Sequence, residues 1–257
     1  MTPLWVDSHC HLFMASESPG ALLDRAAAAG VGWAMCPGTG LAESLAARKV
    51  AEEHPDRVRW SAGLHPHEAS EWSEVSGRIE ALAADADAIG ECGLDYYRNL
   101  SPREDQQRAF AAQLELAVAL DKPVIVHCRD AFGDVYAALE QAALAEKAVL
   151  HCWTGGPKWT KRFAQLGVTF SFAGPVAFSA GDTVRLAAAV APPERTMVET
   201  DTPYLTPPPH RDEGKTNEPA FVPLIGAALA KVWSVDVAEV ARLTTATAER
   251  LFGRPGT

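Results

Sequence analysis

The sequence lacks several features that would identify common classes of protein. No CxxC pair occurs among its five cysteines, and their odd number argues against a disulfide framework. No run of about 18 apolar residues, the length of a membrane-spanning helix, is present. The first residues also lack the basic and long apolar segments of a signal peptide. We therefore expect reduced, buried thiols, a cytoplasmic location and no association with membranes.

Basic residues are scarce as well, with 23 Lys and Arg against 33 Asp and Glu and a formal net charge of −10. This balance argues against tight binding along a nucleic-acid duplex, for which many cations must neutralise phosphates. It leaves phosphodiester hydrolysis open, because bound metal ions can supply local positive charge. The sequence contains no P-loop, no dinucleotide-binding glycine fingerprint and no G-x-S-x-G motif.

Short apolar runs alternate along the chain with longer helical patterns. We predict eight strands, at residues 4–7, 31–36, 58–63, 88–91, 123–127, 148–151, 168–172 and 196–199. Strands that alternate with helices predict an α/β fold, a (β/α)8 TIM barrel with an additional C-terminal helix, and a doubly wound sheet is the alternative. No change of composition marks a boundary, so we expect a single domain over residues 1–257.

One helix start and one long loop stand out between these runs. Ser101, Pro102 and Glu104 predict a capping box before the apolar run at residues 110–120. The proline-rich residues 206–209 predict a long loop between the last strand and the last helices.

Two histidines, His9 and His11, follow the first predicted strand as an H-x-H pair. Residues two apart in a strand project from the same face, so both imidazoles can reach one metal ion. Taken alone, this pair is a weak signal.

Four further ionisable residues lie where other apolar runs end, and these are Glu91, His127, His151 and Asp201. Charged groups rarely end buried strands without partners, and in a parallel barrel those ends meet on one rim. Six imidazole and carboxylate side chains would then converge, in a combination that suits divalent metals. In a strand, the cysteines next to these residues face the opposite side, so we expect them to pack behind the site.

At this point the motifs resemble those of the TatD family of metal-dependent deoxyribonucleases, a branch of the amidohydrolase-like barrels. The matching segments follow the family order over nearly the whole chain: DSHCHL (7–12), GLHPH (63–67), GECGLDYY (90–97), PVIVHCR (123–129), HCWTG (151–155), ETDTPY (199–204) and NEP (217–219).

The resemblance implies two divalent metal ions (Mg, Mn or Zn). It implies that His9, His11, Glu91 and Asp201 hold the first ion, and that Glu91 bridges to a second held by His127 and His151. Asp201 would also orient the attacking water. His65 would contact the scissile phosphate, and Arg129 and Tyr97 are further candidates for substrate contacts.

Two departures from the family pattern concern substrate binding. Thr216 stands where a basic residue commonly precedes Asn-Glu-Pro, and Trp153 stands where phenylalanine is usual, which could alter the shape of the pocket. We expect surface positions for His54 and His210, leave the role of His67 open, and expect Glu218 to cap or start a helix before Pro219.

The first hypothesis is a deoxyribonuclease or exonuclease that acts on ends or short single strands of nucleic acid and has no obligate protein partner. The second is hydrolysis of an amide, ester or lactone in a small molecule on the same metals, because this fold hosts many chemistries. The usual bridging lysine of the fifth strand is not evident, which favours the first. A protein that only holds metal or nucleic acid is the third.

Overall fold

Eight parallel strands lie side by side in the order in which they occur along the chain. A computed structural model describes residues 4–256. Within that range the strands are β1 (Trp5–Asp7), β2 (Val31–Pro37), β3 (Val58–Ala62), β4 (Ala88–Asp95), β5 (Val124–Arg129), β6 (Ala148–Leu150), β7 (Thr169–Phe172) and β8 (Thr196–Val198). The sequential order confirms the predicted barrel and rules out the doubly wound sheet, in which the strand order reverses. The extent of the domain stays a prediction.

Backbone hydrogen bonds just beyond β1 and β8 close the sheet into a barrel. The amide of Ser8 donates to the carbonyl of Val198 at 3.1 Å, and the amide of Asp201 donates to the carbonyl of His9 at 2.9 Å. The contacts that close the barrel therefore also fix the backbones of His9 and Asp201, two predicted metal ligands, relative to each other.

Helices follow the strands and form the outer layer. Within the described residues they are α1 (Pro19–Ala28), α2 (Leu41–Glu53), α3 (Trp72–Asp85), α4 (Arg103–Ala119), α5 (Phe132–Ala142), α6 (Gly156–Leu166), α7 (Asp182–Ala188), α8 (Val222–Trp233) and α9 (Val237–Phe252). The first eight each follow the strand of the same number, and α9 is the additional C-terminal helix. The predicted loop at residues 206–209 lies between β8 and α8.

The predicted start of α4 is correct to within two residues, but the predicted capping box is wrong. The helix begins at Arg103 after Pro102, with no side-chain cap. The Ser101 hydroxyl instead donates to the carbonyl of His67 at 2.7 Å. A contact with a residue distant in sequence therefore replaces the local cap.

An inner core fills the barrel and includes part of α9. Inward-facing side chains of the strands pack together with Ala248 and Phe252 of α9; the strand members are Val6, Trp33, Met35, Ala88, Ile125, Val149 and Met197. The hydroxyl of Thr245 also donates to the carbonyl of Leu4 at 2.9 Å. The last helix thus covers the end of the barrel that lies opposite the predicted site.

The outer core between strands and helices contains one especially close approach. The indole of Trp5, in β1, is 2% exposed and lies against the backbone of α8 at Gly226. A Cβ atom at Gly226 would lie 3.0 Å from the Cζ2 atom of Trp5, with two other indole carbons closer still. Glycine at this position therefore lets α8 lie directly against β1.

The cysteines are free thiols, and four of the five are buried. The thiols of Cys10 and Cys92 lie 3.6 and 3.7 Å from the carbonyl oxygens of Met35 and Ile125. Cys10 and Cys92, which are sequence neighbours of predicted ligands, therefore direct their thiols to the backbone of adjacent strands and away from the site, as the strand geometry predicts.

In residues 4–256 no individual helix has both the length and the apolar character needed to cross a bilayer. One pair, Pro219–Trp233 with Val237–Phe252, meets those criteria only when taken together and is bent by 109°.

Candidate metal centre

The carboxyl ends of the strands bring the six predicted metal ligands into one pocket. His9 and His11 follow β1, and His151 follows β6 directly. His127 lies in β5 and Asp201 lies three residues after the end of β8. Strand ends in a parallel barrel share one rim, which is why residues so far apart in sequence meet here.

Glu91 occupies the fourth position of β4 rather than its end, because β4 runs four residues farther than predicted. Pairing with β5 continues to Asp95 opposite Arg129, after a register shift between Ile89 and Cys92. The side chain of Glu91 is nevertheless directed into the pocket, where its two carboxylate oxygens face two different groups of histidines.

The first group lies around Oε2 of Glu91. This oxygen is 3.3 Å from Nε2 of His9 and 3.9 Å from Nε2 of His11. Oδ1 of Asp201 lies 3.8 Å from the same nitrogen of His9 and 3.6 Å from that of His11. Two imidazole nitrogens and two carboxylate oxygens therefore converge on one point.

The second group lies around Oε1 of Glu91. Nε2 of His151 is 2.8 Å away, Nδ1 of His127 is 3.1 Å away, and Nε2 of His65 is 3.3 Å away. His65, predicted as a phosphate contact, thus lies among the predicted ligands of the second ion. Its own Nδ1 accepts a hydrogen bond from the amide of His67 at 3.2 Å, which leaves the proton on Nε2, toward the pocket.

Burial and charge act against each other in this pocket. Burial acts to raise the pKa of Glu91, but the charge of His151 and the hydrogen bonds from His127 and His151 hold it well below its usual range. Burial acts to lower the pKa of His151, yet the charge of Glu91 and a hydrogen bond to Glu199 raise it well above its ordinary value. The buried carboxylates therefore require positive charge close by, which protonated imidazoles or a divalent cation can supply.

The outer imidazole of the pocket behaves differently. Burial lowers the pKa of His65 to about 4, despite the opposing charge of Glu91. His65 is therefore neutral near neutral pH and can offer a hydrogen bond from Nε2 but no net charge.

A buried carboxylate that the sequence interpretation gave no role, Asp95, holds His127 in place. Oδ2 of Asp95 lies 3.2 Å from Nε2 of His127 and 2.9 Å from Nε2 of His67. Its other oxygen accepts hydrogen bonds from the amides of Tyr97 and Arg98 at 3.0 and 2.7 Å. Asp95 therefore fixes the ring of His127 with Nδ1 toward Glu91. His67, whose role was open, is part of this support.

A second such carboxylate, Glu199, supports His151. Its Oε1 accepts a hydrogen bond from the amide of Cys152 at 2.7 Å and lies 3.3 Å from Nδ1 of His151. Both Asp95 and Glu199 lie within the family motifs. An acid close to a proposed metal-binding histidine in these motifs is the signal from which their supporting role could have been predicted. Carboxylates in this position fix the tautomer and orientation of the ring that binds metal.

The residues present fit a group of divalent ions. Three sets have ligand atoms within 4.8 Å of one another, namely His9 with His11 and Asp201, His65 with Glu91 and His127, and His9 with His151 and Glu199. Nδ1 of His9 and of His11 and Oε2 of Glu199 are buried without a hydrogen-bond partner in the described structure. Buried polar atoms are rarely left unpaired, so the pocket has unused capacity for ligands.

Two of the three predicted substrate contacts, Tyr97 and Arg129, form a pair at the rim. The guanidinium carbon of Arg129 lies 4.0 Å from the centre of the Tyr97 ring. Tyr97 is 63% exposed, and Arg129, at the end of β5, is also exposed. This pair lies two residues from Asp95 and His127, at the mouth of the pocket.

The two departures from the family pattern occupy different environments. Trp153 is 1% exposed, and its indole N–H donates to the hydroxyl of Thr160 at 2.7 Å, so it packs in the core and not against substrate. Thr216 is exposed, while the side-chain amide of Asn217 donates to the carbonyls of Thr200 and Tyr204. Asn217 therefore fixes the loop that carries Asp201.

The remaining residues singled out from sequence have structural roles. Glu218 directly precedes the short 3-10 helix Pro219–Phe221, so the prediction that it caps or starts a helix is confirmed for the helix start. Its side chain makes no cap and binds the guanidinium of Arg25 at 2.5 Å. His54 lies beside Arg57, and His210 stacks on Phe221 with ring centres 4.1 Å apart.

Comparison with known proteins agrees with this geometry. The family model described as TatD related DNase matches residues 6–253. A protein of Rahnella sp. (strain Y9602) named 3'-5' ssDNA/RNA exonuclease TatD is 39% identical over 239 residues, with 90% of each chain covered. A protein of Escherichia coli (strain K12) named Uncharacterized metal-dependent hydrolase YcfH is 37% identical over 255 residues, covering 96% of this chain and 95% of that protein. The crystal structure of YjjV, a TatD homologue from Escherichia coli K12, superposes with a TM-score of 0.90 at 28% identity, covering 99% of this chain and 100% of that one.

Proposed function

The chain belongs to the TatD related DNase family, as its motifs predict, and from this premise we propose that it is a 3′–5′ exonuclease of single-stranded DNA or RNA. It is a metal-dependent hydrolase that acts on the phosphodiester bonds of nucleic acid. The observation that carries the finer proposal is the placement of Glu91, which directs one oxygen to each of two groups of ligands.

We propose that the pocket holds two divalent ions. His9, His11 and Asp201 would hold one ion and His127 and His151 the other, with Glu91 between them. The mixture of imidazole and carboxylate donors accepts Mg, Mn or Zn. When bound, such a pair supplies Lewis acidity to the attacking water and to the phosphate oxygens.

Asp201 is the residue best placed to accept the proton of the attacking water. Its side chain is 15% exposed, whereas that of Glu91 is 4% exposed and enclosed by histidines. A general base must lie within hydrogen-bond reach of the water whose proton it takes. The more open carboxylate meets this requirement while the other stays enclosed among the imidazoles.

His65 would stabilise charge on the scissile phosphate. Because its Nδ1 accepts from the amide of His67, its Nε2 carries the proton and is directed into the pocket. A fixed donor aimed at a phosphate oxygen stabilises the negative charge that develops there during hydrolysis.

The rim pair Tyr97 and Arg129 would contact the nucleotide next to the scissile bond. Exposed aromatic rings stack on bases without regard to sequence, and arginine binds phosphate. The overall acidity of the chain restricts such contacts to the rim, which supports action on ends and short single strands over long duplexes.

Hydrolysis of an amide, ester or lactone in a small molecule is the second candidate, and no residue of the pocket favours it. β5 contains no lysine that could bridge two ions. Lys122 precedes this strand at its opposite end, where its ammonium group donates to the carbonyls of Ala83, Ala84 and Ala86. Two further expectations, a cytoplasmic location and action without an obligate protein partner, stay predictions.

The test is release of nucleotides from single-stranded DNA and RNA labelled at the 3′ or the 5′ end, with protein stripped of metal and then supplied with Mg, Mn or Zn. We expect the 3′ label to appear first as mononucleotide, only with metal. Glu91→Ala and Asp201→Ala should abolish release, whereas Asp130→Ala, an exposed acid three residues beyond His127, should not. Hydrolysis of model esters or lactones without any nucleotide release would favour the second candidate instead.

A further inference from the structure

Several helices pair their basic residues with acids of the same helix, and α6 does not. Arg48 pairs with Glu52 on α2, Arg108 with Asp105 on α4, and Arg242 with Glu239 on α9. The α6 segment, GPKWTKRFAQL, contains Lys158, Lys161 and Arg162 and no acid. In a chain of net charge −10, this concentration of cations is an exception.

The three cations, here called the α6 stripe (Lys158, Lys161 and Arg162), lie along one exposed face of the helix. All three are exposed, and their spacing of three and four residues places them on the same side. In the described structure Lys158 and Lys161 form no hydrogen bond or ion pair. Their ammonium groups are therefore available to an anionic ligand.

Arg162 is held by aromatic rings in place of an acid. Its guanidinium carbon lies 4.4 Å from the centre of the Trp159 ring and 4.7 Å from that of Tyr136. Stacking fixes the plane of a guanidinium group while its N–H edges stay free to donate to phosphate.

The α6 stripe begins close to the metal centre. Gly156, where α6 starts, lies only five positions after His151, so at most about 18 Å of chain links them. Trp159, on the stripe's edge, lies 5.9 Å between ring centres from Phe132, which lies 5.5 Å from Trp153. The helix therefore leads from the rim beside His151 down the outside of the barrel.

We propose that the α6 stripe is a track for the phosphates of a single strand of nucleic acid whose end occupies the metal centre. This inference rests on the proposed function. It adds a binding site for the part of the strand that has not yet been digested. The phosphates of a polyanion can face a group of cations that has no acids between its members, and single-strand sites commonly span roughly 4–16 nucleotides.

The experiment compares Lys158→Gln/Lys161→Gln with the charge-matched control Lys49→Gln/Lys231→Gln, which removes exposed lysines of α2 and α8. Binding of a labelled single-stranded oligonucleotide of about twenty nucleotides is measured by fluorescence anisotropy at several salt concentrations, with metal-loaded proteins that carry Asp201→Asn to prevent cleavage. Turnover of a dinucleotide, too short to reach α6, is measured with Asp201 intact.

We expect the stripe variant to bind the oligonucleotide about fivefold or more weakly than the control, with a log–log salt slope smaller by about 0.7 for each phosphate that it no longer neutralises. Dinucleotide turnover should be equal in both. Equal oligonucleotide binding by both variants would overturn the track. So would loss of binding to anionic lipid vesicles or to an acidic peptide with unchanged oligonucleotide binding. Failure of the proposed function is distinct, because the unsubstituted protein would then cleave neither nucleic-acid substrate.

Discussion

At the scale of single residues, two buried carboxylates fix the rings of proposed metal ligands. Asp95 holds the ring of His127 through Nε2, and so determines which nitrogen of that ring faces Glu91. Glu199 does the same for His151. Residues in this position commonly change metal affinity or activity by about 10–100-fold when substituted.

We predict that Asp95→Asn lowers affinity for one of the two ions by about tenfold or more, because the amide can no longer accept from both His127 and His67. Titration of the metal-free protein with Zn or Mn in a calorimeter checks this. Asp134→Asn on α5, an exposed acid that accepts from the hydroxyl of Tyr96, is the matched control. If both variants bind two ions as tightly as the unsubstituted chain, Asp95 is not a positioning residue.

The sequence predicts the convergence of the six proposed ligands better than the groups that hold them. His9, His11, Glu91, His127, His151 and Asp201 could be found because each interrupts or ends an apolar run, which marks a polar group brought to the rim. Glu199 also ends a predicted strand and Asp95 lies within a family motif, but neither position indicates which group the acid contacts. Their partners are imidazole nitrogens on neighbouring strands, and which nitrogen faces which acid depends on ring orientation, which no sequence pattern encodes.

At the scale of elements, two glycines in helices give opposite expectations. Gly226 in α8 lies against the indole of Trp5, and Gly77 in α3 has no neighbouring atom within 4 Å of a Cβ position. Alanine lowers the conformational cost of a helix relative to glycine by about 0.5–1 kcal/mol. At Gly226, unlike at Gly77, the added methyl group of alanine would clash with a neighbouring side chain, so this stabilisation is not available there.

We predict that Gly226→Ala destabilises the fold by about 1–3 kcal/mol, because the added methyl group forces α8 away from β1. Gly77→Ala should instead stabilise it by roughly 0.5–1 kcal/mol. Urea unfolding of both variants, followed by circular dichroism, measures the difference. A gain of stability in both would mean that α8 moves aside at no cost.

The start of α4 shows why local sequence patterns cannot predict the exact ends of helices and strands. Ser101, Pro102 and Glu104 match the pattern of a capping box. In the structure, however, the hydroxyl of Ser101 donates to the carbonyl of His67, in the segment after β3. β4 likewise runs past Glu91 because β5 offers four further pairing partners. The barrel itself could be predicted, since eight apolar runs separated by helices leave few other arrangements.

At the scale of the whole molecule, the pocket is an unfavourable concentration of charge until a cation binds. Glu91 and Asp201 are surrounded by five imidazoles, and burial acts against every charged group there. An ion that binds only the folded chain stabilises it by about 2.7 kcal/mol when its concentration is one hundred times its dissociation constant.

We predict that removal of metal lowers the midpoint of thermal unfolding and that re-addition of Zn or Mn restores it in a concentration-dependent way. Differential scanning calorimetry with and without a chelator checks this. Glu91→Ala, which removes the residue between the two groups, should respond much less to metal than the parent chain. The same response in both proteins would place the stabilising ions elsewhere.

The bond between the amide of Asp201 and the carbonyl of His9 joins two residues that lie nearly 200 positions apart. A ribosome delivers the first of these residues early and the second only when about four fifths of the chain has been made. At that point the inner core is still incomplete, because Ala248 and Phe252 of α9 have not yet been synthesised. The pocket of predicted ligands can therefore be completed only after most of the chain has been synthesised, so no N-terminal part of the chain alone can contain it.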